Sequence, residues 1–189
     1  MALNRGRYNT TPPSYSSNSP VDLQVDTNGR LKTNLNGFYG TATFTPSASA
    51  YGAADIYDVA KEMSLYQANG ELIPSGSLIK ITHSLLKIDA TALVASEGAY
   101  TLYAYSVTPP SAQADNAAWT LASADLPSYL GAIAIGTPVD LGAALFVRTN
   151  FTDVIMRLAG TSFFLELVQA AAITPAAVAR QVTLIGEIV

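Results

Sequence analysis

Few side chains in this sequence have the type and spacing to do chemistry. There is one histidine, His83, no cysteine, and fourteen carboxylates in 189 residues. A nucleophile must face its base, yet His83 and Ser84 are neighbours in a stretch of β-type sequence. Neighbours on a strand point to opposite faces, so the two do not form a working couple. Without cysteine there are no thiolate zinc sites, thiol nucleophiles or disulfides. Asp55, Asp58, Glu62, Asp115, Asp125 and Asp153 match neither a calcium loop nor the paired acids of a glycoside hydrolase. Asp115 beside Asn116 reads as a turn-holding pair and not as a cation site. The sequence contains no phosphate-cradling glycine loop, dinucleotide fingerprint or nucleophile elbow. No catalytic, cofactor-binding or metal-ligating residue is assigned, and the expectation is a protein that is not an enzyme and carries no cofactor.

The side chains that remain are suited to contact. Tyr39, Tyr103 and Tyr105 fall on strand faces and Trp119 in a long loop, where amphipathic rings serve to stack on a sugar or to pack in a protein interface. Trp119 ranks first because loops carry recognition more often than strands do. With the arginines and tyrosines near the start of the chain, the candidate interface comprises Arg5, Arg7, Tyr8, Tyr15, Tyr103, Tyr105 and Trp119. His83 shares a predicted face with isoleucines and reads as a histidine held inside or at the rim of the core.

Composition limits the setting. Charged residues make up 13% of the chain, against about 25% in ordinary soluble domains, which fits a surface partly covered by partners. No apolar run approaches the roughly 20 residues of a membrane-spanning helix, so no membrane association is expected. Net charge is −4 and the ten Lys and Arg residues form no stripe, which argues against nucleic-acid binding. The first nineteen residues have a basic start with no apolar stretch behind it, so no secretory signal is expected, and the sequons at Asn9 and Asn150 read as chance.

The elements that must position these residues are mostly strands. Residues 1–20 combine Pro12, Pro13 and Pro20 with Ser, Thr and Asn, too polar to build a core, and read as an extended arm. Residues 21–35 alternate apolar and polar on both sides of Asn28-Gly29, a hairpin signal. Residues 38–45 alternate cleanly, with Phe38, Ala42 and Phe44 inward and Tyr39, Thr41 and Thr43 outward. In residues 51–66 the spacing of Ile56, Val59, Ala60 and Met63 fits a short helix as well as a strand, and the conformation stays open. A strand over 77–88 places Ile79, Ile81, His83 and Leu85 on one face, with a parity shift at Leu85-Leu86 that either a bulge or a strand buried on both faces explains. Further strands are predicted over 100–107, 129–135 (Tyr129, Ile133 and Ile135 on one face), 139–151, 154–158, 163–170 and 182–189. Thr174-Pro175 reads as the start of one helical turn. The predicted architecture is all-β: residues 1–36 an extended arm with a hairpin, and residues 37–189 an antiparallel, jelly-roll-like β-sandwich with at most one or two short helices.

Four stretches carry a family resemblance: DLQVDTNGRL at 22–31, SLIKITHSLLKID at 77–89, PPSAQADNAAW at 109–119 and ADLPSYLGAIAI at 124–135. In this order, across about residues 22–189, the chain resembles jelly-roll or β-sandwich capsid decoration (cement) proteins of tailed bacteriophages. The resemblance implies a virion protein on the capsid surface, made in the host cytoplasm, with the major capsid protein and further copies of itself as partners, a trimer being the expected oligomer. The second reading is a carbohydrate-binding or adhesin module of a phage fibre or tail that uses the Tyr and Trp rings.

Overall fold

A computed structural model describes residues 36–90, 94 and 97–189. The arm and hairpin predicted for residues 1–35, with Arg5, Arg7, Tyr8 and Tyr15, lie outside the described residues. Ten strands follow: β1 (Gly37–Phe44), β2 (Ile56–Ser64), β3 (Tyr66–Gln67), β4 (Leu78–Ile88), β5 (Tyr100–Tyr105), β6 (Tyr129–Ile135), β7 (Val139–Asp140), β8 (Leu145–Arg157), β9 (Ser162–Gln169) and β10 (Arg180–Ile188). The larger sheet runs β3-β1-β10-β4-β8-β7 and the smaller β2-β9-β5-β6, every pairing antiparallel.

The pairing is nested. β1 pairs with β10, β2 with β9, β4 with β8 and β5 with β6, as though one long hairpin had been rolled over itself. That is jelly-roll topology, with β1-β10-β4-β8 facing β2-β9-β5-β6 across the core. Period-two alternation drives it, because each strand turns one row of apolar side chains to the opposite sheet and the other row outward. In β1, Phe38, Ala42 and Phe44 are buried while Tyr39, Thr41 and Thr43 are exposed, as the sequence predicts. The larger sheet contributes Phe38, Phe44, Ile79, Ile81, Leu86, Val182 and Leu184 to the core. Tyr57, Tyr100, Leu102, Ile133, Phe163, Leu165 and Leu167 meet them from the smaller. Each such side chain contributes about 1.5–3 kcal/mol on burial.

Where the structure departs from the sequence reading, a bulge or a bridge is the reason. Residues 51–66 hold no helix: β2 pairs Tyr57 with Leu167 and then Lys61 with Leu165, so residues 58–60 stand opposite Glu166 alone. Two extra residues disturb the alternation and mimic helical spacing, with Asp58 taking φ +68° inside the bulge. In β4 the parity shift is real but falls earlier. Thr82 is the extra residue, Ile185 opposing His83 while Gly186 opposes Ile81. His83 and Leu85 therefore leave the face of Ile79 and Ile81, and Ser84 takes the inward position. In β6 a third bulge skips Leu130, placing Tyr129 opposite Tyr105 and off the inward face of Ile133 and Ile135. The two strands predicted over 139–151 and 154–158 become the two-residue β7 and one continuous β8. No helical turn forms at Thr174, because Ile173 instead bonds through both its N–H and its C=O to Tyr51. The described residues contain no helix.

Candidate binding surface

Three of the predicted contact residues come together on the outer side of the smaller sheet. β5 turns Tyr103 and Tyr105 outward, and the loop over residues 106–128 lies against them. The loop is fastened to the start of β2 and the turn before it by hydrogen bonds from Ile56 N–H to Ala117 O (2.9 Å), Asn116 N–H to Ile56 O (2.9 Å) and Trp119 N–H to Ala54 O (3.0 Å). Trp119 stacks on Tyr103 with centroids 3.5 Å apart and planes 10° from parallel. Its indole Nε1 donates to the Tyr105 hydroxyl at 3.2 Å and to Glu166 Oε2 at 3.1 Å, and the Tyr105 hydroxyl donates to the same carboxylate oxygen at 3.1 Å.

Tyr105 and Glu166 are fully buried under this loop. Tyr105, predicted as an exposed contact residue, is thus a structural one: the loop that a strand pattern cannot foresee covers it. Burial raises the Glu166 carboxyl above the usual range, with nearby Asp125 adding to the rise, while the Tyr105 and Trp119 donors pull it back. Burial likewise pushes the Tyr105 phenol well up. Trp119 and Tyr103 are half-buried, so one face of each ring and the indole N–H are committed inside the molecule.

Asp115 anchors the other end of the same loop. It accepts from the Tyr51 hydroxyl and, at 2.7 Å, from Asp58 N–H in the β2 bulge; burial pushes its carboxyl up, but these donors outweigh it and hold the carboxyl below the usual range. Asp58 accepts from Thr45 N–H at 2.9 Å and meets Lys61 at 2.9 Å. Asp115, read from sequence as a turn-holding residue, does that work across three segments. Among the described residues no group of three or more His, Asp or Glu is arranged to hold a metal ion.

A third cluster is buried at the end of the core. Arg180, 1% exposed, sits 3.7 Å from Glu97 and 5.2 Å above the Tyr57 ring, and donates to the carbonyls of Ala176 and Val178, both at 2.7 Å. The Tyr100 hydroxyl donates to Glu97, and burial pushes the Tyr57 and Tyr100 phenols far up. Glu97, Arg180 and the Tyr100 hydroxyl satisfy one another, whereas the buried Tyr57 hydroxyl has no hydrogen-bond partner.

The outer face of the larger sheet is a surface on which no described element packs. Strand register sets out its rows. One runs Tyr66, Tyr39, Ile185, His83, Asn150; the next Thr41, Thr183, Leu85, Arg148; the next Thr43, Gln181, Lys87, Phe146. At the far end Glu187, Lys80 and Ile155 align. Tyr39 is 45% exposed and Ile155 52%, and the Tyr39 and Tyr66 rings lie 6.0 Å apart. Thr82 Oγ1 donates to Ile185 O at 3.0 Å, so its contact with His83 Nδ1 at 3.1 Å requires the histidine to donate from Nδ1. Desolvation and then Arg148 lower the His83 pKa, keeping the ring neutral at neutral pH. A surface groove of about 340 Å³ lies at the Lys87 end, lined by Lys87, Ile88, Asp89, Ala144, Ala179 and Gln181.

Of the sequence-predicted contact residues, Tyr103 and Trp119 are partly accessible, Tyr105 is not, and Tyr39 stands in a patch whose other members, Ile185, Leu85, Phe146 and Ile155, sequence reading passed over. The alternation of β4, β8 and β10 held that signal, but the bulge at Thr82 conceals it until the register is known. No family model matches the chain, and no curated protein is similar enough in sequence to count as a relative.

Proposed function

We propose that this protein is a structural component of a phage particle, a decoration or cement protein that seats on the outer surface of the capsid, contacts the major capsid protein and associates with copies of itself. The observation that carries this reading is the outer face of the larger sheet, where Tyr39, Leu85, Phe146, Ile155 and Ile185 share a surface that no described element covers. Outward apolar side chains grouped on one face, Tyr39 and Ile155 exposed and Leu85, Phe146 and Ile185 partly so, support a protein contact. The low charge content and the jelly-roll topology agree with a role in which burying surface is the activity. A good interface of about 1,600 Å² sustains stable binding, and repetition over a shell multiplies weak contacts.

The test is to incubate purified protein with assembled phage capsids and image them by electron cryomicroscopy. Ordered added density at repeated lattice positions is expected, and Tyr39→Glu with Leu85→Glu should abolish it while the fold persists. Bare shells, or density on fibres or tail instead, would overturn the cement reading in favour of the adhesin. Against that second reading stands the Trp119 ring, one face of which is already spent on Tyr103.

A further inference from the structure

Charge is distributed unevenly over the sandwich. Of the six described cations, Lys61, Lys80, Lys87, Arg148, Arg157 and Arg180, four occupy outward positions of the larger sheet: Lys80 and Lys87 on β4, Arg148 and Arg157 on β8. At the paired outward positions of β1, β10, β4 and β8 the only acid is Glu187, which meets Lys80 at 3.9 Å. Lys87 and Arg148 are exposed and make no ion pair among the described residues. Around Lys87 and Arg148 this face is basic in a chain whose net charge is −4, while the margins of the sheet carry exposed Asp89, Asp140 on β7 and Asp153 in β8. The compensating acids gather elsewhere. Asp55, Asp58, Glu62 and Asp115 lie along β2, an edge strand of the smaller sheet, with Lys61 the one described cation among them. Val59, 45% exposed, supplies an apolar side chain amid these acids.

We propose that the basic, apolar outer face of the larger sheet receives the acidic β2 edge of a second copy of this chain, joining copies head to tail. The inference rests on the reading above for self-association and adds the two surfaces that meet. Tyr39, Leu85, Ile185 and Phe146 supply the burial, while Lys87 and Arg148 opposite the exposed Glu62 fix orientation, since charges across an interface choose partner and register more than they add affinity. Two different surfaces make the contact heterologous, which closes into a ring when the rotation allows. The bulge over residues 58–60 keeps β2 from extending its sheet into a neighbour, so the edge meets its partner through side chains.

The test is the mass of the intact protein in solution by light scattering, at low and high salt. The expected result is a multiple of 19.8 kDa at low salt that falls towards the single chain as salt rises. Lys87→Glu with Arg148→Glu should be monomeric, as should Val59→Lys with Glu62→Lys, each keeping its circular dichroism and melting temperature. Mixing the two variants should restore association, because each carries the charge the other has lost and unlike copies can then join. A wild-type protein that is a single chain at low salt, a β2 variant that associates like wild type, or a mixture that stays monomeric would each overturn the inference. A single chain that nonetheless decorates capsids would overturn this contact alone and leave the cement role standing, whereas an oligomer that leaves capsids bare would do the reverse.

Discussion

Trp119→Phe isolates one hydrogen-bond donor over a buried carboxylate. Phenylalanine keeps an aromatic ring against Tyr103 but removes the indole N–H that reaches Tyr105 at 3.2 Å and Glu166 at 3.1 Å. A hydrogen bond to a charged acceptor is worth about 1.5–3 kcal/mol and one to a neutral acceptor about 0.5–1.5 kcal/mol. The Tyr105 hydroxyl still donates to Glu166 in the variant. The loss should therefore be about 2 kcal/mol where Glu166 is ionised and about 1 kcal/mol where it is protonated. The sign with pH follows from the raised native pKa of Glu166. A carboxyl raised on folding holds its proton more tightly in the native state, so its contribution is fully present below the unfolded glutamate pKa and is lost as pH rises through the native value. Removing a donor that favours the ionised form raises the native value further, so the variant falls increasingly behind wild type as pH climbs. Urea unfolding followed by far-ultraviolet circular dichroism, at pH 4 and pH 8, measures both differences. A deficit equal at the two pH values, or larger at pH 4, would refute the reasoning. In a Glu166→Gln background the pH dependence of the deficit should vanish.

Two further perturbations probe the core. Glu97→Gln leaves the Arg180 guanidinium, 1% exposed, without its carboxylate, and should cost about 3–5 kcal/mol. Adding Arg180→Met should recover part of that loss, and additive losses in the melting curves would contradict the coupling. Gly186→Ala would place a methyl carbon 2.1 Å from the Lys80 carbonyl oxygen and 2.7 Å from the Phe38 ring, an overpacking that should cost about 3 kcal/mol. Gly70→Ala, with φ +83° and nothing within 4 Å, should cost about 1 kcal/mol, and urea unfolding that reversed this order would show that packing at the Thr82 bulge is loose.

The strands themselves were legible wherever one face meets the core and no residue is added. β1, β5, β9 and β10 follow their predicted spans to within one or two residues because Phe38, Leu102, Leu165 and Val182 alternate with outward side chains. What the sequence hid was parity. At Thr82, at Leu130 and over residues 58–60 the alternation is reset by extra residues, and a bulge is a property of two strands in register and not of one read alone. That single cause accounts for His83 placed among isoleucines, Tyr129 placed on the face of Ile133 and Ile135, and residues 51–66 left open between helix and strand. The candidate surface was half legible for a related reason. Trp119 was identified as a loop residue and Tyr103 and Tyr105 as outward-facing, but a loop's fold over a sheet depends on distant partners such as Glu166 and Ala54. The apolar rows through Leu85 and Ile185 became visible only once four strands, drawn from both ends of the described chain, were aligned.

The position of β10 has a kinetic consequence. It lies between β1 and β4 in the larger sheet, yet it is the last of the ten strands in chain order. As the polypeptide emerges during synthesis, β1 and β4 are both present with nothing to join them, each offering an unpaired edge of backbone donors and acceptors. Nested pairing of this kind puts its longest loop closure, Gly37 with Glu187, among the contacts that complete the sheet. Folding of the larger sheet is therefore deferred until β10 has emerged and inserted between its neighbours. Until then the nascent chain is at its most exposed to mispairing with other copies, so conditions that slow synthesis or crowd ribosomes should lower the yield of folded protein more than they change the stability of what does fold.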